Sequence, residues 1–248
     1  MVELYSEDEY LFRTGKITPK QYIHRIRMKK DIIQPKITKN NSGLNAEIFR
    51  YIARNSYDYQ YKKGLIPPSE NWYMSPESDG YTLIFVNDVD KQVIMGIRGT
   101  GGGENRGDII YNMYADFNFY TSSDINNWRY KDAKNKLNKI FIDYPDYKIN
   151  LVGHSLGGSV AQTLNREYED KLNLVVMYGR PVDYYNYRPN NSIDIISNND
   201  SISKGQYGIN GGYVIQDTQY YYTPFTAHKK LIEPNSYIDY ELNKILQK

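Results

Sequence analysis

A serine framed by glycines, Gly153-His154-Ser155-Leu156-Gly157, stands directly behind the apolar run Ile149–Val152 and ahead of the stretch Ser159–Asn165. The spacing G-x-S-x-G between a strand and a helix predicts a nucleophile elbow, a sharp turn that thrusts a serine hydroxyl above the edge of a sheet. Side chains at Gly153 and Gly157 would collide where strand and helix approach, and Gly158 lets the helix pack tightly on the sheet. The chemistry this suits is acyl transfer through an activated serine. Leu156, the residue after the nucleophile and first in the helix, offers a backbone N–H where an oxyanion develops.

A serine hydroxyl is a weak nucleophile until a base takes its proton, and histidine is the suitable base near neutral pH. The chain has three histidines. His24 lies in an N-terminal appendage and reads as structural. His154 precedes the serine, so its side chain is expected to face away from the elbow crest and help hold the turn. His228 remains, behind a tyrosine-rich segment, and its position agrees with the chain order Ser…Asp…His. The acid that would steady its ring is expected to be Asp200, which follows a predicted strand and precedes His228. Asp194, inside that strand, and Asp183, shortly after Pro181, fit structural roles; Asp217 is the runner-up acid.

Composition narrows the alternatives. The chain has 248 residues, a formal net charge of +2 and no cysteine. Thiolate catalysis, disulfides and cysteine-ligated metals are excluded. The basic residues are spread out, with a modest cluster at Arg25, Arg27, Lys29 and Lys30 that reads as a solvated helix face, so no nucleic-acid partner is expected. The glycines 101–103 lack the Lys-Ser/Thr ending of a phosphate loop. No cofactor is expected. Met1–Tyr10 is acidic without a long apolar stretch, and no transmembrane run is present, so a cytoplasmic protein or one carried within a particle is expected. Tyrosine is abundant at 27 residues, and some must lie at the surface or line a cleft.

The elements that must position these residues follow from periodicity and punctuation. Residues 1–40 read as an N-terminal helical extension able to contact a protein partner, and 41–248 as the main domain. A helix is predicted from Leu44 to Lys62 and a hairpin from Tyr81–Val86 to Gln92–Ile97. A short helix is expected within Asp108–Phe117, and a longer one over Ser122–Tyr144, ended by Pro145. Strands are expected at Asn173–Tyr178 and Ser192–Ile196. Gly211–Ile215 is expected to pair with Gln219–Tyr222, and Glu241–Leu246 to form a last short helix. Alternating strands and helices predict an α/β fold with a mostly parallel central sheet and flanking helices.

Three motifs in fixed order carry a family resemblance. Arg98-Gly99-Thr100 ends an apolar strand, Gly153-His154-Ser155-Leu156-Gly157-Gly158 follows a second, and Tyr178-Gly179-Arg180-Pro181 ends a third. In these, over roughly residues 44–230, the chain resembles the class 3 (fungal-type) lipases of the α/β-hydrolase fold. The resemblance implies that Thr100 completes the oxyanion hole with Leu156. It implies that Ser197-Asn198-Asn199-Asp200 corresponds to the segment bearing the family's acid, although its first Asn comes one position late. It further implies that the last histidine, His228, is the base, and that Asp108 and Asn112 organise the loop after the oxyanion strand.

The family often carries an amphipathic lid helix after that strand. Here the stretch from Thr100 to Asp108 is short, glycine-rich and polar, with Tyr111, Met113, Tyr114, Phe117, Phe119 and Tyr120 beyond it as candidate cleft walls. A small or poorly lidded acyl site is therefore expected. The expected function is hydrolysis of carboxylic esters, acylglycerol or phospholipid, through Ser155, His228 and Asp200, with transient contact to a membrane or lipid surface. The alternative is a catalytically weak or inactive hydrolase-fold protein serving as a structural or interaction component.

Overall fold

The computed structural model describes residues 43–57, 65, 67–100, 128–181, 188–200, 202–203, 211–219 and 224–247. The N-terminal extension 1–40 and the segment 101–127, with Asp108, Asn112 and the candidate cleft walls, lie outside the described residues.

Near-continuous apolar runs predict strands covered on both faces, and the sheet bears this out. Seven described strands lie side by side in chain order: β1 (Tyr73–Met74), β2 (Thr82–Asn87), β3 (Gln92–Ile97), β4 (Lys148–His154), β5 (Leu174–Tyr178), β6 (Ser192–Ser197) and β7 (Tyr213–Asp217). The β1–β2 and β2–β3 pairs are antiparallel, and β3 to β7 run parallel. The predicted β2–β3 hairpin forms with Thr82 opposite Ile97 and Asn87 opposite Gln92. The Gly211 stretch forms a strand, Tyr213–Asp217, that adds in parallel to β6, with Ile195 opposite Ile215; residues 220–222 of its predicted partner lie outside the described residues. Gln219 lies outside any strand.

Period-two alternation sends side chains to two cores. Leu83, Phe85, Ile94, Val152, Val176 and Ile193 meet helices α1 (Ala46–Asn55) and α5 (Ser236–Leu246) on one face. Ile84, Val93, Met95, Leu151, Val175 and Met177 meet α2 (Trp128–Asp143) and α3 (Leu156–Glu167) on the other. The crossover helices α2 and α3 share a face, as parallel connections of one hand require. Each fully buried aliphatic side chain contributes about 1.5–3 kcal/mol.

Helix α1 is shorter than predicted. Asn45 caps it by accepting from the Ile48 N–H at 3.0 Å, and it ends at Asn55, with Ser56 and Tyr57 in a turn. Asn235 caps α5, which starts five residues before the predicted Glu241. An Arg50–Asp239 ion pair joins the two helices, and the Ala46 N–H donates to Asn243 Oδ1 at 2.9 Å. The short helix α4 (Pro224–Lys230) was not anticipated. No described helix is long and apolar enough to cross a membrane.

Candidate active site

The turn after β4 has the geometry its glycines suggest. Ser155 sits at φ 57°, ψ −129°, a left-handed conformation adopted by only one other described non-glycine residue, Lys91. Such a conformation costs on the order of 1–3 kcal/mol and persists only where its surroundings enforce it. Here the Ser155 N–H donates to the Tyr178 carbonyl at 2.9 Å, and the Ser155 carbonyl accepts from the Gly158 N–H at 2.9 Å. A Cβ at Gly153 would overlap the Gly157 carbonyl, and one at Gly157 would overlap the Ile97 carbonyl, so backbone meets backbone on both sides of the turn. Leu156 opens α3. N–H groups there have no acceptor within the helix and lie at the positive end of its dipole.

Asp200 and His228 meet at the same end of the sheet. Asp200 follows β6 in a turn closed by its N–H to the Ser197 carbonyl at 3.2 Å. His228 projects from α4, and its Nδ1 lies 2.8 Å from Asp200 Oδ2. A carboxylate only accepts, so Nδ1 carries the proton and Nε2 is the basic nitrogen. That Nε2 is buried and has no hydrogen-bond partner, Ser155 Oγ included. Burial favours the neutral acid at Asp200, but hydrogen bonds from His228, Ser203 and the Ile202 N–H outweigh it and hold the carboxyl below its ordinary range. Gly179, at φ 59°, passes the ring so closely that a Cβ there would lie 2.9 Å from Nδ1. The Tyr178 carbonyl that anchors Ser155 therefore immediately precedes the residue against which His228 rests.

The other candidate acids are engaged elsewhere. Asp194 accepts from Arg180 Nε at 2.7 Å and Arg188 Nε at 2.5 Å, all three side chains being buried. Asp217 is buried and accepts from the Gln219 N–H at 3.0 Å and from Asn235 Nδ2 at 3.4 Å. Asp183 and His24 lie outside the described residues.

His154 does more than hold the turn. Its Nε2 lies 3.1 Å from the His228 carbonyl, and its Nδ1 lies 2.7 Å from Tyr57 Oη. The two imidazole centroids are 4.6 Å apart. Burial, aided by the charge His228 can carry, pushes the His154 pKa down to about 3, so this ring is neutral.

Thr100 stands three residues past the end of β3, half-buried. Its neighbour Gly99 packs on the elbow: a Cβ there would lie 3.0 Å from Ser155 Cβ. Arg129 holds the Gly99 carbonyl at 3.3 Å and also bonds the Arg98 carbonyl. Sequence reasoning assigned no role to Tyr57 or Arg129, since neither stands in a motif. Among the described residues, no three His, Cys, Asp or Glu side chains form a group able to hold a metal ion.

No curated protein matches the sequence. Among solved structures, the chain is similar to Lip2 lipase from Yarrowia lipolytica at 18% identity and a TM-score of 0.49, covering 73% of this chain and 80% of that one. It is similar to Rhizomucor miehei lipase in its propeptide complex at 17% identity and a TM-score of 0.43, over 71% and 73% of the two chains. Lipase II from Rhizopus niveus aligns at 15% identity and a TM-score of 0.39, over 62% and 71%. Residues 91–182, which hold β3, the elbow and β5, match the family model Lipase (class 3). All three signature motifs lie inside that matched segment, and the sheet built around it has the largely parallel, helix-flanked arrangement of an α/β-hydrolase, class 3 lipase-like fold.

Proposed function

We propose that the protein hydrolyses carboxylic esters of acylglycerol or phospholipid type, with Ser155 as nucleophile, His228 as base and Asp200 as its acid. The match of residues 91–182 to the class 3 lipase family model supports a hydrolytic, lipid-acting role in general. The observation that carries the finer reading is the buried Asp200–His228 hydrogen bond, which leaves Nε2 as the basic nitrogen, without a hydrogen-bond partner of its own.

In this mechanism Ser155 Oγ gives its proton to His228 Nε2 and bonds to the ester carbonyl carbon. The carbonyl π electrons move onto oxygen, where the Leu156 and Thr100 N–H groups receive the oxyanion. Asp200 stabilises the imidazolium without taking its proton. The tetrahedral centre collapses, the C–O bond to the alcohol breaks, and Nε2 protonates the leaving oxygen. Water then enters by the same route, gives a proton to Nε2, and releases the carboxylic acid and Ser155. Serine and histidine must approach for the first step; catalytic hydrogen bonds often close only with substrate in place.

A fluorophosphonate probe is expected to label the protein once, at Ser155, and Ser155→Ala to abolish labelling. Short-chain p-nitrophenyl esters are expected to turn over, with the rate lost in His228→Ala. Labelling that survives Ser155→Ala refutes the serine assignment. A folded protein that turns over no ester or lipid supports the non-catalytic alternative.

A further inference from the structure

We infer that Tyr57 and His154 are positioning residues for the base: a fixed hydrogen-bonded pair that sets where the His228 ring sits by holding its backbone. This rests on the catalytic reading proposed above. His228 has two anchors. Its ring is held by Asp200 through Nδ1, and its backbone carbonyl is held by His154 Nε2 at 3.1 Å. The ring anchor sets rotation about the side-chain bonds; the backbone anchor sets where α4 stands relative to the strand that carries the serine. Because His154 directly precedes Ser155, the second anchor ties base to nucleophile by one residue of chain.

The direction of each bond follows from the atoms. The His228 carbonyl only accepts, so His154 Nε2 carries a proton. The ring is neutral, so Nδ1 holds a lone pair and accepts from the Tyr57 hydroxyl at 2.7 Å. Burial pushes the Tyr57 hydroxyl well above its usual range, which keeps that donor protonated. The Tyr57 oxygen also packs on Gly99, where a Cβ would overlap it. The pair thus joins three segments: the loop leading to Thr100, the strand end bearing the serine, and the base helix. Polarisation along such a chain strengthens each bond. Without the Tyr57 donor, the His154 proton is free to move to Nδ1. The Nε2 lone pair would then face the His228 carbonyl, repelling what it now holds. Small misplacement of a reacting group is costly in rate.

The test combines kinetics with nitrogen NMR on the full chain. Tyr57→Phe is expected to lower kcat on a p-nitrophenyl ester about 10-fold, with KM changed less than about 2-fold, since substrate contacts are untouched. His154→Leu is expected to lower kcat about 100-fold. His154→Gln, which keeps a neutral donor toward the His228 carbonyl, is expected to recover most of that loss. In the wild type, NMR of 15N-labelled histidines is expected to find the His154 proton on Nε2, and in Tyr57→Phe to find it partly on Nδ1. If His154→Leu fails to fold, Tyr57→Phe and His154→Gln decide. An unchanged kcat in folded Tyr57→Phe and His154→Leu overturns the inference, as does an Nδ1 proton in an active wild type. A wild type that shows the Nε2 proton yet turns over no ester overturns the hydrolase reading instead.

Discussion

Asp200 is buried among groups that all donate to it, and the balance there makes two measurable statements. The folded carboxyl lies below its unfolded value, so its contribution to stability is present above about pH 3.9 and is lost as pH falls through the folded value. Replacing it with Asn keeps the shape but can hold the wrong tautomer of His228. We expect Asp200→Asn to lower kcat by on the order of 10⁴-fold with the fold retained, read by ester turnover and by circular dichroism. His154 gives a second prediction. Its folded pKa of about 3 lies below the unfolded value near 6.5, so between these values the unfolded chain binds a proton that the folded chain refuses. Stability then rises with pH across that window, by up to about 1.4 kcal/mol per pH unit. Urea unfolding between pH 4 and 7 is expected to show this slope, and His154→Gln to flatten it. At this scale the sequence was informative where residue types are scarce or spaced. With three histidines and one elbow, chain order pointed to Asp200 and His228, which the fold sets 2.8 Å apart. It was silent on Tyr57, because one tyrosine among 27 outside any motif carries no positional signal.

The strand–turn–helix of β4 and α3 was legible because its constraints are local: an apolar run, a serine and glycines at fixed offsets. Its tolerance to change follows from the same geometry. A methyl group at Gly157 meets the Ile97 carbonyl of the neighbouring strand, a backbone atom that cannot rotate away. Gly157→Ala is therefore expected to destabilise the protein by about 3 kcal/mol or more, measured by thermal or denaturant unfolding. Helix α4 was missed for the opposite reason. Seven residues with two consecutive lysines after the histidine carry no apolar period, and packing rather than propensity makes them helical. β7 was seen as a strand, but its parallel place beside β6 was not foreseen. Local turn signals speak only to hairpins, whereas the pairing with β6 is fixed by the sheet as a whole. Asp194 shows a further long-range device. It sits on β6 among the buried guanidinium groups of Arg180 and Arg188, fastening the exit of β5 and the approach to β6 beneath the site.

Across the whole molecule, the sheet separates two apolar clusters, one closed by α2 and α3 and the other by the outermost described helices, α1 and α5. The fold class was readable from alternation of strand and helix; which face each helix covers was not, since that depends on crossover handedness and on where the far ends of the chain return. The strands also stand in the order in which they are made. During translation each new strand finds its neighbour already in place, so the sheet can grow outward without waiting for distant partners. The serine turn is complete early, but on the proposed mechanism its imidazole emerges from the ribosome only after β7. Nascent chains arrested at residue 217 are accordingly expected to ignore a fluorophosphonate that marks the released protein. On that mechanism synthesis itself delays the onset of reactivity, and the growing polypeptide stays inert toward esters until its last part is made.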